Sequence, residues 1–415
     1  MRLHLVIPVL VGAAAGAVLS GAFPTRITAA EPVTLEVAAG KHDRLGVPVA
    51  VELPEALARA RHFTLTRLDD GKPVAVQRVP GVRPAVAWIV GEKLAAGKAR
   101  RYRLAPVQQP PAAKGGVTVE DEGKHLLVRV GGKPVLRYNY ALVPSPDPKT
   151  PYYARSGYLH PVYNPSGQVV TDDFNPDHAH QHGIMMAWTK ATFRGRPANC
   201  WDQKTGQGKV EHVKMLGASA GPVFAHFAAR LRHVSLNGPA GPEPMLDETW
   251  CVRVYNLRDY FLFDLESSQT CAGKSPLVVE QYHYGGLMVR GHAAWLSAGA
   301  GDFLTSQGKT RRDGNHTRPR WCDIHGRLDG RRTGICVLDP PTNFRFPQPV
   351  RLHPTMPYFC FTPATLGSFT LEPGGAPLVS RYRFYVHAGP LDVKEAERLW
   401  NDLAQPPKVR VVTQP

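Results

Sequence analysis

Arg381-Tyr382-Arg383-Phe384-Tyr385-Val386-His387 alternates side chains at a period of two. In an extended chain Tyr382, Phe384 and Val386 share one face, and Arg381, Arg383, Tyr385 and His387 share the other. Trp250-Cys251-Val252-Arg253-Val254 and Leu136-Arg137-Tyr138-Asn139-Tyr140 repeat the pattern. Period two in many separate segments predicts antiparallel sheets with one buried face, not alternating βα units. Gly and Pro number 39 each, without a G-X-Y period, which fits many short strands joined by turns.

Outward from these strands, only the tail reads as helix. Asp392 is placed to cap it, with Glu395 three residues on, and Val393, Ala396, Trp400 and Leu403 fall on one helical face. Towards the N-terminus, residues 31–105 carry short alternating runs such as Val33-Thr34-Leu35-Glu36-Val37, with a hairpin signal at Asp70-Gly71. They predict a small β-sandwich domain. Residues 106–116 are a Pro/Gly-rich linker, and residues 117–405 form the large β domain. The fold class is therefore all-β with a short C-terminal helix.

Residues 1–30 read as a secretory signal peptide. Arg2 is followed by an apolar stretch over residues 6–23 and by Thr28-Ala29-Ala30, with cleavage expected near Ala30. The expectation is an exported protein, periplasmic or secreted, with no integral membrane contact once the signal is removed. Lys and Arg number 50 against 34 Asp and Glu, a net charge of +16. The basic residues are scattered, and the densest groups are Lys309-Thr310-Arg311-Arg312 and Arg331-Arg332. No clustered footprint points to a nucleic-acid partner. The six cysteines contain no CxxC pair. Cys322 and Cys336 flank the turn signal Asp329-Gly330, so a cross-hairpin bridge and buried free thiols are both open readings.

The densest polar constellation is Asp172-Asp173-Phe174-Asn175-Pro176-Asp177-His178-Ala179-His180-Gln181-His182-Gly183. If extended, His178, His180 and His182 point to one face about 6–7 Å apart. Neutral imidazoles so placed suit a shared divalent metal, or acid/base work toward a ligand oxygen with no cofactor. Upstream, Tyr153, Arg155 and His160 lie in an aromatic stretch suited to a sugar ring. Downstream, Glu280 ends the apolar run Leu277-Val278-Val279, a position where burial raises a carboxyl pKa as a general base requires. His283 follows it, and Trp201 and Arg345 are further binding candidates, Arg345 as a clamp for a carboxylate or phosphate. No HExxH, Walker or Rossmann fingerprint is present.

Asp177-His178-Ala179-His180-Gln181-His182-Gly183 with Ala187-Trp188 resembles the DHPxxHG signature of the PmoA-like family, an exported bacterial family labelled "methane oxygenase PmoA". Arg155-Ser156-Gly157-Tyr158-Leu159-His160-Pro161, Gly285-Gly286-Leu287, Trp321-Cys322-Asp323, Gly334-Ile335, Asn343 and Arg381-Tyr382-Arg383 carry the resemblance over residues 117–390. Ala179 replaces the usual Pro, and Asp339-Pro340-Pro341 stands where many members have His-Pro. The family's pattern is similar to galactose-mutarotase-like β-supersandwich folds, which bind sugars on a concave sheet. That resemblance implies His180 or His182 as acid and Glu280 as base, at an anomeric or glycosidic centre. Tyr153, Arg155, His160, His178, Trp201, His283 and Arg345 would bind the glycan. The alternatives are a glycan-binding module without catalysis, and a metal-dependent oxygenase or hydrolase using the HxHxH face.

Overall fold

The computed structural model describes residues 31–81, 83–111, 115–297 and 299–412. The signal-peptide segment lies outside these residues. None of the described helices is long and apolar enough to cross a membrane.

The fold is nearly all β. Two antiparallel eight-stranded sheets enclose the main core. One runs in the order Val350–Leu352, Tyr358–Phe361, Gly286–Arg290, Ile184–Ala187, Tyr158–Val162, Lys133–Asn139, His125–Val130, Val117–Asp121. The other runs Gly208–Ser219, Phe224–Ser235, Glu243–Tyr255, Phe261–Cys271, Leu378–Ala388, Arg331–Leu338, Trp321–Leu328, Gly301–Thr305. The period-two runs decide which residues meet between them. Tyr138, Trp250, Val252, Phe384 and Val386 all face the shared core, while Arg253, Arg381 and Arg383 point to the opposite sheet face, where Arg383 is also buried. A four-stranded sheet, Arg196–Ala198, Ala191–Phe193, Leu277–Val279, Phe369–Leu371, adds its buried face to the same core.

A second core gathers Leu35, Val37, Val47, Trp88, Tyr102 and Leu104 from a five-stranded and a three-stranded sheet near the N-terminus. The five-stranded sheet ends on Lys408–Val412, which pairs antiparallel with Val33–Ala38. That strand was not expected from the sequence. It packs Val409 and Val411 on the core, and Arg410 reaches Glu36.

The helix Val393–Ala404 is capped by the Asp392 side chain, which accepts from the backbone N–H groups of Lys394 and Glu395 at 2.9 and 3.2 Å. Its buried face is Ala396, Leu399 and Trp400, and Val393 is exposed instead. A one-turn helix at Glu55–Ala58 also departs from the expected single helix.

All six cysteines are free. The bridge considered between Cys322 and Cys336 is ruled out by register. Cys322 pairs with Val337 and Cys336 with Asp323, so the two thiols face opposite sides of the sheet.

Candidate functional site: an arc of imidazoles and aromatic rings

The histidine segment is not extended. Asn175 accepts a hydrogen bond from the Asp177 N–H and Pro176 takes the first helical position, so Pro176–His178 closes a 3₁₀ turn. The three histidines therefore do not share one strand face, which corrects the expected geometry. His178 and His180 are half-buried with ring centroids 5.4 Å apart, while His182 is fully buried. Among the described residues no group of three or more His, Cys, Asp or Glu side chains is arranged to hold a metal. The HxHxH metal site does not fit this geometry.

Gly183 is what lets the turn meet the sheet. Its φ is +40°, and a Cβ there would lie 2.1 Å from the Leu159 carbonyl oxygen. Only glycine permits that approach.

His182 sits in a defined tautomer. Its Nδ1–H donates to Asp173 Oδ1 at 2.6 Å, and Asp173 Oδ2 accepts from the Tyr158 hydroxyl at 2.7 Å. That leaves Nε2 as the acceptor end, with no hydrogen-bond partner among the described residues. Phe174, held at φ +51°, stands edge-on to the ring at 4.6 Å. Burial keeps His182 in its neutral form, outweighing the pull of Asp173. His160 is also held neutral by burial and hydrogen-bonds Thr171 at 2.9 Å. His180 is pushed down to about 3, by burial first and then by His178, His182 and two nearby arginines.

From His180 a continuous run of ring contacts spreads in both directions. Tyr153 lies 6.2 Å away on one side, and Tyr152 packs on Tyr153. On the other side His178 meets His353 at 5.5 Å and Tyr358 at 6.1 Å. Tyr358 approaches Trp201, Trp201 meets Tyr284 at 5.3 Å, and Tyr284 meets His283 at 4.7 Å. Of the sequence-predicted binding residues, Tyr153, His178, Trp201 and His283 thus join one arc with His180. His353 and Tyr358 complete it and were not foreseen. His353, before Pro354, is a lone residue in sequence, and Tyr358 opens an apolar strand that reads as core.

The segments that carry the arc also hold buried polar atoms that no described protein group satisfies. Trp201 Nε1, both ends of the Gln203 amide, Gln181 Nε2 and all three nitrogens of Arg155 are buried without a partner among the described residues. A deeper network was also missed. Buried Glu248 accepts from His233 Nε2 at 2.8 Å, Trp250 Nε1 at 2.8 Å, Gln269 Nε2 at 3.1 Å and the Ser267 hydroxyl. Trp188 Nε1 in turn donates to Gln269. Burial alone would push His233 down, but Cys200 and Glu248 raise it to about 9. Glu248 stays ionised for the same reason.

Two expectations are corrected here. Glu280 accepts from Thr192 Oγ1 at 2.5 Å and pairs with Lys190 Nζ at 3.1 Å, and these contacts lower its pKa where a raised one was expected. It forms no hydrogen bond or ion pair with the three histidines. Arg345 is no anion clamp: its guanidinium donates to the carbonyls of Pro363, Gly367 and Ser368 and holds that loop.

The neutral histidines set a pH dependence. A histidine depressed in the folded state takes up its proton only on unfolding, so stability falls as pH drops from about 6.5 towards 3. His233, raised to about 9, acts oppositely: its stabilisation is complete below about 6.5 and is lost as pH rises through 9. Melting temperature should peak near neutrality. His180→Gln should flatten the acid limb and His233→Gln the alkaline limb, both read by calorimetry across pH.

Residues 125–401 match the family described as "Family of unknown function (DUF6807)". The chain belongs to this DUF6807 family. The whole arc and the buried network, from Tyr152 to Tyr358, lie inside the matched segment. No protein of curated function matches the chain. Among solved structures, this DUF6807 protein is similar to an alpha-mannosidase from Enterococcus faecalis V583, at 11% identity and a TM-score of 0.44. That match covers 92% of this chain and 46% of the mannosidase. It is also similar to a glycosyl hydrolase family 38 protein from Enterococcus faecalis, at 10% identity and a TM-score of 0.42, covering 92% of this chain and 47% of that one. The chain spans about half the length of these structures.

Proposed function

We propose that this protein is an exported, PmoA-like, carbohydrate-active enzyme whose site is the imidazole–aromatic arc. Its partner is a glycan, and its chemistry is proton transfer at an anomeric or glycosidic centre. One observation carries this reading: a continuous arc of aromatic and imidazole rings is carried on segments that also hold buried polar atoms left without protein partners. Aromatic faces pack on sugar C–H groups, and surplus donors and acceptors match a polyhydroxylated ligand.

In this reading His182 is the base. Asp173 fixes its tautomer, Nε2 is left to accept, and the ring is neutral. His180, neutral and largely buried with its side chain 15% exposed, contacts the sugar beside it. Glu280 has no part, because its carboxylate is committed to Lys190 and Thr192. The test is a panel of oligosaccharides assayed for cleavage and for anomeric exchange, with wild type beside His182→Gln. Turnover in wild type that vanishes in the variant supports the reading. Equal turnover in both contradicts it.

A further inference from the structure

Other buried arginines in this fold each keep at least one acceptor, and fully buried Arg290, with Nε and Nη2 unbonded, still donates to Gln181 through Nη1 at 3.0 Å. Arg44, 1% exposed, donates to the carbonyls of Ala39, Asn401 and Gln405 and pairs with Asp402 at 2.8 Å. Arg383 forks onto Asp264 at 2.7 and 2.9 Å. Arg155 is buried to the same 1%, yet none of its three nitrogens has a hydrogen-bond partner among the described residues. The two carboxylates whose charge it feels are already committed. Asp173 serves His182 and Tyr158, and Glu248 serves His233, Trp250, Ser267 and Gln269. A guanidinium taken from water and left without acceptors is costly, and the fold keeps one on a segment of its candidate site.

We infer that the sugar recognised at this site carries a carboxylate, held by the Arg155 guanidinium. The inference rests on the carbohydrate reading above and names its substrate class: uronic acids or other acidic sugars. A planar fork of N–H donors matches a planar carboxylate in two parallel hydrogen bonds. A single negative charge suits the location, since the charges of Asp173 and Glu248 already act on the same guanidinium and would oppose a dianion. Trp201 Nε1 and the Gln203 amide, also buried and unpartnered, are left for the sugar's hydroxyls.

The test is calorimetric titration of the full chain with oligogalacturonates, oligoglucuronates and oligomannuronates, each beside its carboxyl-reduced counterpart. Wild type should bind one acidic series about 10–100-fold more tightly than its reduced form. Arg155→Met should bind the two forms within about threefold of each other, and should melt no lower than wild type, because it removes an unsatisfied buried charge. Arg155→Lys keeps the charge without the fork and should lose most of the preference. Equal binding of acidic and reduced forms by wild type overturns the inference and leaves the carbohydrate reading standing. Binding of neither form in any series overturns both. Preference retained in the variants, or a clear drop in the melting temperature of Arg155→Met, also overturns the role given to Arg155.

Discussion

Glu248→Ala should destabilise the protein by about 3–5 kcal/mol, measured by denaturant unfolding at pH 7. Glu248 is fully buried and accepts from His233, Trp250, Ser267 and Gln269. Its removal strands a protonated His233 and leaves two donors of Trp250 and Gln269 without an acceptor. Each loss alone costs about 1–3 kcal/mol, more for the charged group. His233 should then lose the part of its raised pKa that Glu248 supplies, with only Cys200 left to oppose burial. Its titration, followed by NMR, should move down from about 9. A loss of under about 1 kcal/mol would show that the network is not held as described.

His182→Gln should lower turnover about 10²–10⁴-fold if His182 is the base. Asp173→Asn should lower it at least about 10²-fold by removing the acceptor that fixes the tautomer. The two effects should not add, because both act through Nε2 of one imidazole. A structural role would give a different pattern. Asn at 173 still hydrogen-bonds Tyr158 and the ring, so thermal stability should change little while the pH–rate profile shifts. Glu280→Gln should leave turnover within about threefold of wild type, since that carboxylate meets Lys190 and Thr192 alone.

Much of the fold was legible because its signal is local. Trp250, Val252, Phe384 and Val386 alternate along single strands, and the structure buries them on one face. Asp392 caps the closing helix by contacts two and three residues away. The site was less legible because non-local contacts decide it. Glu280 is committed by Thr192, which is distant in sequence and adjacent only across the sheet. Arg345 is consumed by carbonyls of Pro363, Gly367 and Ser368. His353 and Tyr358 carry no motif; Tyr358 joins the arc because its strand pairs beside Gly286–Arg290, and His353 follows because its N–H donates to the Tyr358 carbonyl at 3.2 Å. Asn175-Pro176 is a turn signal, and it argued against reading the histidine segment as extended.

Histidine NMR can place the ligand on the protein. Imidazole resonances of the full chain are followed while the oligosaccharides are added. His178, His180, His283 and His353 should shift together and saturably, since they line one arc. His226, in a cleft of about 390 Å³ on the outer sheet face with Cys251, Arg253 and Arg381, should stay still. Shifts at His226 with none along the arc would contradict the account.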